Sequence, residues 1–408
     1  MPLPSSGPIS FSNIQTEFGG TNPISLSEYY AGGALVPGTA TGTFGAVPSS
    51  GAIRVGNFFG TQDRIPGIDY TFRDLPNPDP FFNTGASSFT VASTFATVWT
   101  GTQFLIGGGR ASIATSPDGI TWTYRTGYAI LHSSNYIANA IAWNGTLFLV
   151  GGTFNNFSQS QIATSPDGIT WTLQYGLTST TFGNGNVTAA VWTGTQFLVV
   201  GSSNRAATSP DGINWTSQAG LDASGFGTDF PLSVVWTGTQ FLVGGSLGKI
   251  ATSPDGITWT NQPGLIATAY SQRPVRSISW NGTQFLVVGG PAAATSPDGI
   301  TWTYRGGLES TTFTYITRDN GLNASDARAV SWDGTQFLVV GLHGRAATSP
   351  DGITWTNRST SLRALIGSSR STAIDFGFDG GASGAHAITW TGAQFLIGVA
   401  NSAVVTSP

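Results

Sequence analysis

The chain has 408 residues, a formal net charge of −4, only 9 % charged residues, 56 glycines and no cysteine. This excludes a disulfide scaffold and a basic nucleic-acid-binding surface, and no apolar run is long enough to cross a membrane as a helix. Aromatic residues make up 12 % of the chain, enough for a core, so the many glycines read as turns between short strands rather than as disorder.

The first 62 residues contain repeats of their own. Leu3-Pro4-Ser5-Ser6-Gly7-Pro8-Ile9 returns as Val47-Pro48-Ser49-Ser50-Gly51-Ala52-Ile53. Pro8–Ile14, Pro23–Tyr29 and Ala52–Phe58 share a second pattern, an extended run entering one or two helical turns. Ser12 with Gln15 fits a capping box, and Gly19-Gly20 stops the turn. Pieces this short need a surface to dock on. Residues 1–62 are therefore expected to form a docking module, separate from residues 63–408. The N-terminus has no basic n-region followed by an apolar h-region, so no secretory signal is expected.

From about residue 67 the sequence is repetitive. One phrase, Trp-x-Gly-Thr-Gln-Phe-Leu-Val-Val-Gly in its fullest form, starts at Trp99, Trp143, Trp192, Trp236, Trp280, Trp332 and Trp390, with 44 to 58 residues between starts. A second, Ala-Thr-Ser-Pro-Asp-Gly-Ile-Thr-Trp-Thr, follows it. Its Asp and Trp fall at Asp118/Trp122, Asp167/Trp171, Asp211/Trp215, Asp255/Trp259, Asp298/Trp302 and Asp351/Trp355. Pro presets φ, Asp bonds the backbone ahead of it and Gly accepts positive φ, so the phrase reads as strand, tight turn, strand. Six near-identical copies argue for a structural turn lock, with its Trp packed between blades, over a catalytic or metal-binding carboxylate. Each unit gives four strands, a to d. In the unit at Trp236 these are Ser233–Trp236, Gln240–Gly244, Lys249–Ser253 and Ile257–Asn261. A seventh copy breaks off at Thr406-Ser407-Pro408, and Gly67–Arg73 matches the missing strand of Gly299–Arg305, with Tyr70 in the Trp place. The expected fold is all-β: a seven-bladed propeller of four-stranded blades, closed by a strand from the N-terminal side.

The second phrase resembles the Asp box of sialidase-type propellers, where it is an element of the fold away from the active site. The run from Gly7 to Gly20, with Asn22–Tyr30, resembles an N-terminal module of structural proteins of tailed bacteriophages, including phages of cyanobacteria. That resemblance implies a virion component fixed to the particle by residues 1–62, assembled in the host cytoplasm and released by lysis. The expected function is that of a tail-associated fibre or adhesin. Purely structural decoration or bridging within the virion is the alternative, and a carbohydrate hydrolase a third reading.

Catalysis is not expected. Sialidase chemistry needs a tyrosine nucleophile with a glutamate partner, and the only glutamates are Glu17, Glu28 and Glu309, none within a recognisable motif. Asp375 and Asp379 share a loop and would be the pair for a hydrolase. His132, His343 and His386 stand apart, without metal-ligand spacing, so neither metal nor cofactor is expected. Asn144-Gly145-Thr146 and Asn281-Gly282-Thr283 spell glycosylation sequons but read as hairpin turns.

The a–b and c–d turns share one face and barely vary. The b–c and d–a loops share the other, and differ. The long connections on that variable face run over 74–95, 124–139, 173–188, 217–232, 261–276, 304–328 and 357–386. Variation confined to one face of a repeat array marks a binding face. Its candidate ligand-binding residues are Tyr128, Tyr136, Phe154, Phe157, Phe226, Tyr270, Arg273, Tyr315, Arg318, Asp375, Phe376 and Phe378. A basic set entering strand c, Arg110, Arg205, Lys249 and Arg345, would ring the same face and suit an acidic host polysaccharide. Homo-oligomerisation stays open, because no heptad stretch argues for a coiled coil.

Overall fold

Among the described residues are seven antiparallel sheets of four strands, six of them meanders of consecutive strands and one composite. The computed structural model describes residues 41–42, 45–46, 71–74, 94–109, 111–127, 136–154, 162–177, 186–226, 230–313, 326–342, 344–359, 384–399 and 403–407. The chain divides into a unit of residues 1–69 with Pro408 and a unit of residues 70–407. In the first, the described residues are a short hairpin of Thr41–Gly42 with Gly45–Ala46. The helical turns expected over residues 12–30 lie outside the described residues.

The second unit is the seven-bladed propeller. Strands a are Thr94–Trp99, Tyr136–Trp143, Val187–Trp192, Pro231–Trp236, Ser277–Trp280, Ala327–Trp332 and Ala385–Trp390. Those of adjoining blades touch all the way round, so they form the innermost ring. The last blade is composite: Thr71–Asp74 pairs with Ala403–Ser407, Thr71 opposite Thr406. Thr303 opposite Thr295 is the equivalent pair in blade 5. The closing strand therefore stands in the register of strand d of blade 5, while Tyr70 itself lies outside the described residues. Between the last blade and the first, Thr97 and Thr389 join their hydroxyls at 2.7 Å, and Gln394 donates to the Asp118 carbonyl.

The repeated turns owe their uniformity to side chains that replace backbone partners. In all six Asp boxes the Ser hydroxyl accepts the Gly amide at 2.8 Å and donates to the Asp carboxylate. The carboxylate in turn accepts two amides beyond it, those of Ile257 and Thr258 for Asp255. Strand d of that blade consequently starts at Thr260 rather than Ile257, because the carboxylate has taken the amides a sheet ladder would use. The Gly of each box holds φ between 72° and 78°. In the a–b turns, Thr100, Asn144 and Asp333 each accept two following amides through a side-chain oxygen. That shared acceptor is why Thr, Asn and Asp interchange there, and why the sequon at Asn144 is a turn.

The core lies between blades. Each strand-a Trp tilts against the Phe of its own strand b, with centroids 4.2–4.6 Å apart. The Asp-box residues Trp122, Trp171, Trp259, Trp302 and Trp355 are only 6–8 % exposed, each packed in a cluster that joins neighbouring blades. Trp122, Trp171, Trp259 and Trp302 donate their indole N–H to the Gly carbonyl of their own box. Trp215 makes the same bond but is half-buried. A glycine after strand d seals each of these joints. A Cβ on Gly127, Gly176, Gly220, Gly264 or Gly307 would strike the carbonyl of Ile169, Ile213, Ile257, Ile300 or Ile353, in the next Asp box. Gly220→Ala is expected to destabilise the protein by about 1–3 kcal/mol, since a backbone carbonyl cannot move aside as a side-chain tip can. Urea unfolding reads this directly, and a change under roughly 0.5 kcal/mol would mean the joint is slack.

Candidate functional site at the channel mouth

The two faces of the ring are built differently. Gln103, Gln196, Gln240, Gln284 and Gln394, just after the a–b turns, donate to carbonyls of Asp boxes in the next blade. The a–b turns and Asp boxes thus share one face, with the same half-exposed Ile in all six boxes. The top ends of strands a open on the other face.

Four residues before the strand-a Trp, the seven blades carry Phe95, Asn139, Thr188, Leu232, Arg276, Arg328 and His386. The position after it is Ala or Ser in every blade, while the position before it is buried wherever its side chain is described. In six blades the pairing register slips across this residue, as between Val187 and Ala189 or Ala327 and Ala329. This is a β-bulge, which takes one residue out of the ladder and re-aims its side chain. Arg276 occupies the equivalent place in the blade without that slip. All seven residues are half-buried. Their side chains meet across blades: Phe95 and His386 pack edge to face at 5.3 Å, and Thr188 donates to the Pro231 carbonyl. The Arg276 and Arg328 Nε atoms lie 2.9 and 2.8 Å from one oxygen of Asp326. Round the mouth the order is Arg276, Arg328, His386, Phe95, Asn139, Thr188, Leu232, a cationic pair beside an aromatic pair.

The residues singled out in the sequence divide differently. The Asp-box residues Trp122, Trp171, Trp259, Trp302 and Trp355 lie in the inter-blade core, the structural place the sequence assigns them. Their rings are closed in by the strands of two blades, so no ring face is left to stack on a ligand. Tyr136, Phe226 and Tyr270 are fully buried in the same inter-blade clusters, so as ligand contacts they are corrected to core. The reason lies in a glycine at or near the end of strand b. Its absent Cβ leaves room for an incoming aromatic side chain: Tyr136 over Gly152, Phe226 over Gly245, Tyr270 over Gly289 and, unforeseen, Phe313 over Gly341. Burial pushes the Tyr270 phenol well above its ordinary range, and its hydroxyl donates to the Pro274 carbonyl.

The basic set also serves the loops. Lys249 donates to the Phe226 carbonyl at 2.7 Å, and the buried Arg345 donates to the Thr312 carbonyl. Arg205 is half-buried, with its Nε unpartnered. Arg273 donates to the Ala269 carbonyl, stacks over Tyr304 at 5.9 Å and lies 4.0 Å from Glu309. A free basic ring on this face is therefore corrected for Lys249 and Arg345, because each side chain spends its donors on a loop carbonyl. Phe154 ends the strand Phe148–Phe154. Arg110, Tyr128, Phe157, Tyr315, Arg318, Asp375, Phe376 and Phe378, with His132 and His343, lie outside the described residues.

Sequence reasoning passed over the mouth residues because it weighed loops rather than columns of the repeat. The signal was present: this strand-a position alone mixes aromatic, aliphatic, amide and cationic side chains. Among the described residues no three His, Asp or Glu side chains gather to hold a metal, and no helix is long and apolar enough to cross a membrane.

Comparisons with known proteins bear on the fold. The family model of the lipoprotein LpqB β-propeller domain matches residues 158–275. No curated protein matches the chain. Among solved structures, Ycf48 bound to a D1 peptide superposes with a TM-score of 0.59 at 15 % identity, over 84 % of this chain and 97 % of that one. Ycf48 from Cyanidioschyzon merolae gives 0.55 at 14 %, over 83 % and 98 %. The WD40 propeller domain of Doa1 gives 0.54 at 10 %, over 83 % and 97 %. The chain is similar to these proteins in its propeller fold.

Proposed function

We propose that this chain is a non-enzymatic recognition protein of a tailed-bacteriophage particle. Residues 1–62 attach it to other virion proteins, and the propeller presents its channel mouth and variable loops to a host surface glycan, as a tail-associated adhesin does. The observation that carries the recognition half is the contrast between faces. Six Asp boxes repeat one hydrogen-bond pattern, whereas seven bulged or equivalent positions at the opposite end carry six residue types. A propeller needing stability alone would gain nothing from that variety. The virion half rests on the resemblance of residues 7–30 to phage structural proteins.

Particles in which Phe95, Leu232, Arg276, Arg328 and His386 are all replaced by Ser are expected to adsorb to host cells roughly tenfold less or worse, as when binding hot spots are truncated. Undiminished adsorption by intact particles of this kind would remove the recognition role.

A second reading, a protein that decorates or bridges the virion, draws on two observations. Phe230 and Leu247 are half-exposed on the variable face, and the segments carrying them are tied by the bond from the Ser246 amide to the Phe230 carbonyl. A propeller of similar fold, Ycf48, has been seen with a bound peptide. A particle map with this face buried against a neighbouring virion protein would favour it.

A further inference from the structure

We infer that Arg276 and Arg328, at the channel mouth, form a subsite for the carboxylate of an acidic sugar; this deepens the recognition reading above and rests on it. Two guanidinium groups share one carboxylate, that of Asp326. That carboxylate is already saturated: one oxygen accepts the Gly290 amide at 2.7 Å and Arg276 at 3.1 Å, and the other faces both arginines. One positive charge is left over in a place where the Arg276 and Arg328 side chains are only 31 % and 23 % exposed.

Holding two like charges side by side, half out of water, is unfavourable unless an anion completes the set. Burial and the neighbouring Arg276 both pull the Arg328 pKa down, against the pull of Asp326. Arg276 donates to Asp326 through Nε, Arg328 Nε approaches the same carboxylate at 2.8 Å as an ion pair without hydrogen-bond alignment, and among the described residues the Nη groups of both have no protein partner. Those Nη groups are planar forks, the geometry that grips a carboxylate through two parallel bonds. The next two positions round the mouth are His386 and Phe95, packed edge to face. An anion held beside aromatic rings suits a sugar whose carboxylate meets the arginines while its apolar ring face meets the aromatics.

The experiment uses the full-length protein, with polygalacturonate, dextran sulfate, neutral dextran and poly-aspartate as probes in titration calorimetry. Polygalacturonate is expected to bind and dextran not to. Arg276→Gln and Arg328→Gln are each expected to weaken binding roughly tenfold or more, as loss of a charge-assisted bond does. Arg276→Lys and Arg328→Lys keep the charge beside Asp326 and guard against a folding defect; they are expected to weaken binding several-fold. Equal binding by wild type and all four variants would overturn the subsite, as would preference for dextran sulfate or poly-aspartate. Failure to bind polygalacturonate, in a protein whose particles still lose adsorption when the mouth is replaced, would overturn the subsite and leave the recognition reading standing. Unchanged adsorption in that second assay would remove the recognition reading itself.

Discussion

A chain that starts at residue 75 is expected to unfold at a lower temperature than one that starts at residue 63, and to self-associate. The two differ by the strand Thr71–Asp74, the outer strand of the last blade. Its four register partners run from Ala403 to Thr406. Without it, the strand Ala403–Ser407 becomes an unpaired edge carrying Val404 and Val405, both fully buried in the intact ring. Ladder bonds are worth about 1 kcal/mol each, so losing this strand costs on the order of 3–5 kcal/mol before any exposed apolar area is added. An open apolar edge is also a template for pairing with another chain. Thermal unfolding and light scattering after gel filtration test the two halves of the expectation. Equal melting temperatures and a monomeric truncated chain would show that strands a alone close the ring.

Acid is expected to unfold the propeller in a steep transition that begins near pH 4. The carboxylates of Asp118, Asp167, Asp211, Asp255, Asp298 and Asp351 all titrate below their ordinary value. For Asp118 and Asp211 the largest cause is an amide three residues on, Thr121 for the first and Asn214 for the second. For the other four, burial is the largest single influence and acts upward, but the bonds from two amides and the Ser hydroxyl outweigh it. A carboxyl whose pKa is depressed by folding contributes stability that is fully present above its unfolded value of about 3.9. That contribution is lost as pH falls through the folded pKa. Because six boxes repeat one geometry, up to six protons are taken up in one window, which makes the decline steep. The melting temperature should therefore be flat from about pH 7 to 5 and fall from about pH 4 downward. Asp211→Asn keeps an acceptor oxygen and removes one titrating group, so it should make the decline shallower. A melting temperature that holds down to about pH 2 would show that the boxes do not couple to folding.

Much of this architecture is local in origin, which is why it is readable in the chain. Ser, Asp and Gly at fixed spacing make the Asp-box turn from their own side chains, so six copies announce six turns. Tyr70 stands in the Trp place of an otherwise matching segment, and this suffices to find the closing strand. What Tyr136, Phe226 and Tyr270 do is not local. Each fills the space left by a glycine in the following strand b, and only packing shows that the space exists. Lys249 and Arg345 look like free cations in the chain because the carbonyls that receive them, at Phe226 and Thr312, belong to loops over 20 residues away.

The sequence by itself determined the number of blades, the strand that closes them and the face on which they differ. Each follows from turn chemistry repeated at a set interval, and a turn needs only its neighbours. Only the tertiary structure decided which side chains on that face remain to meet a ligand. Bulges turn Arg328, His386 and Phe95 out of their ladders, and ring closure sets Phe95 from the first blade against His386 from the last. A bulge depends on the partner strand and a ring on its closure, so residues nearly 300 positions apart became one site through long-range packing.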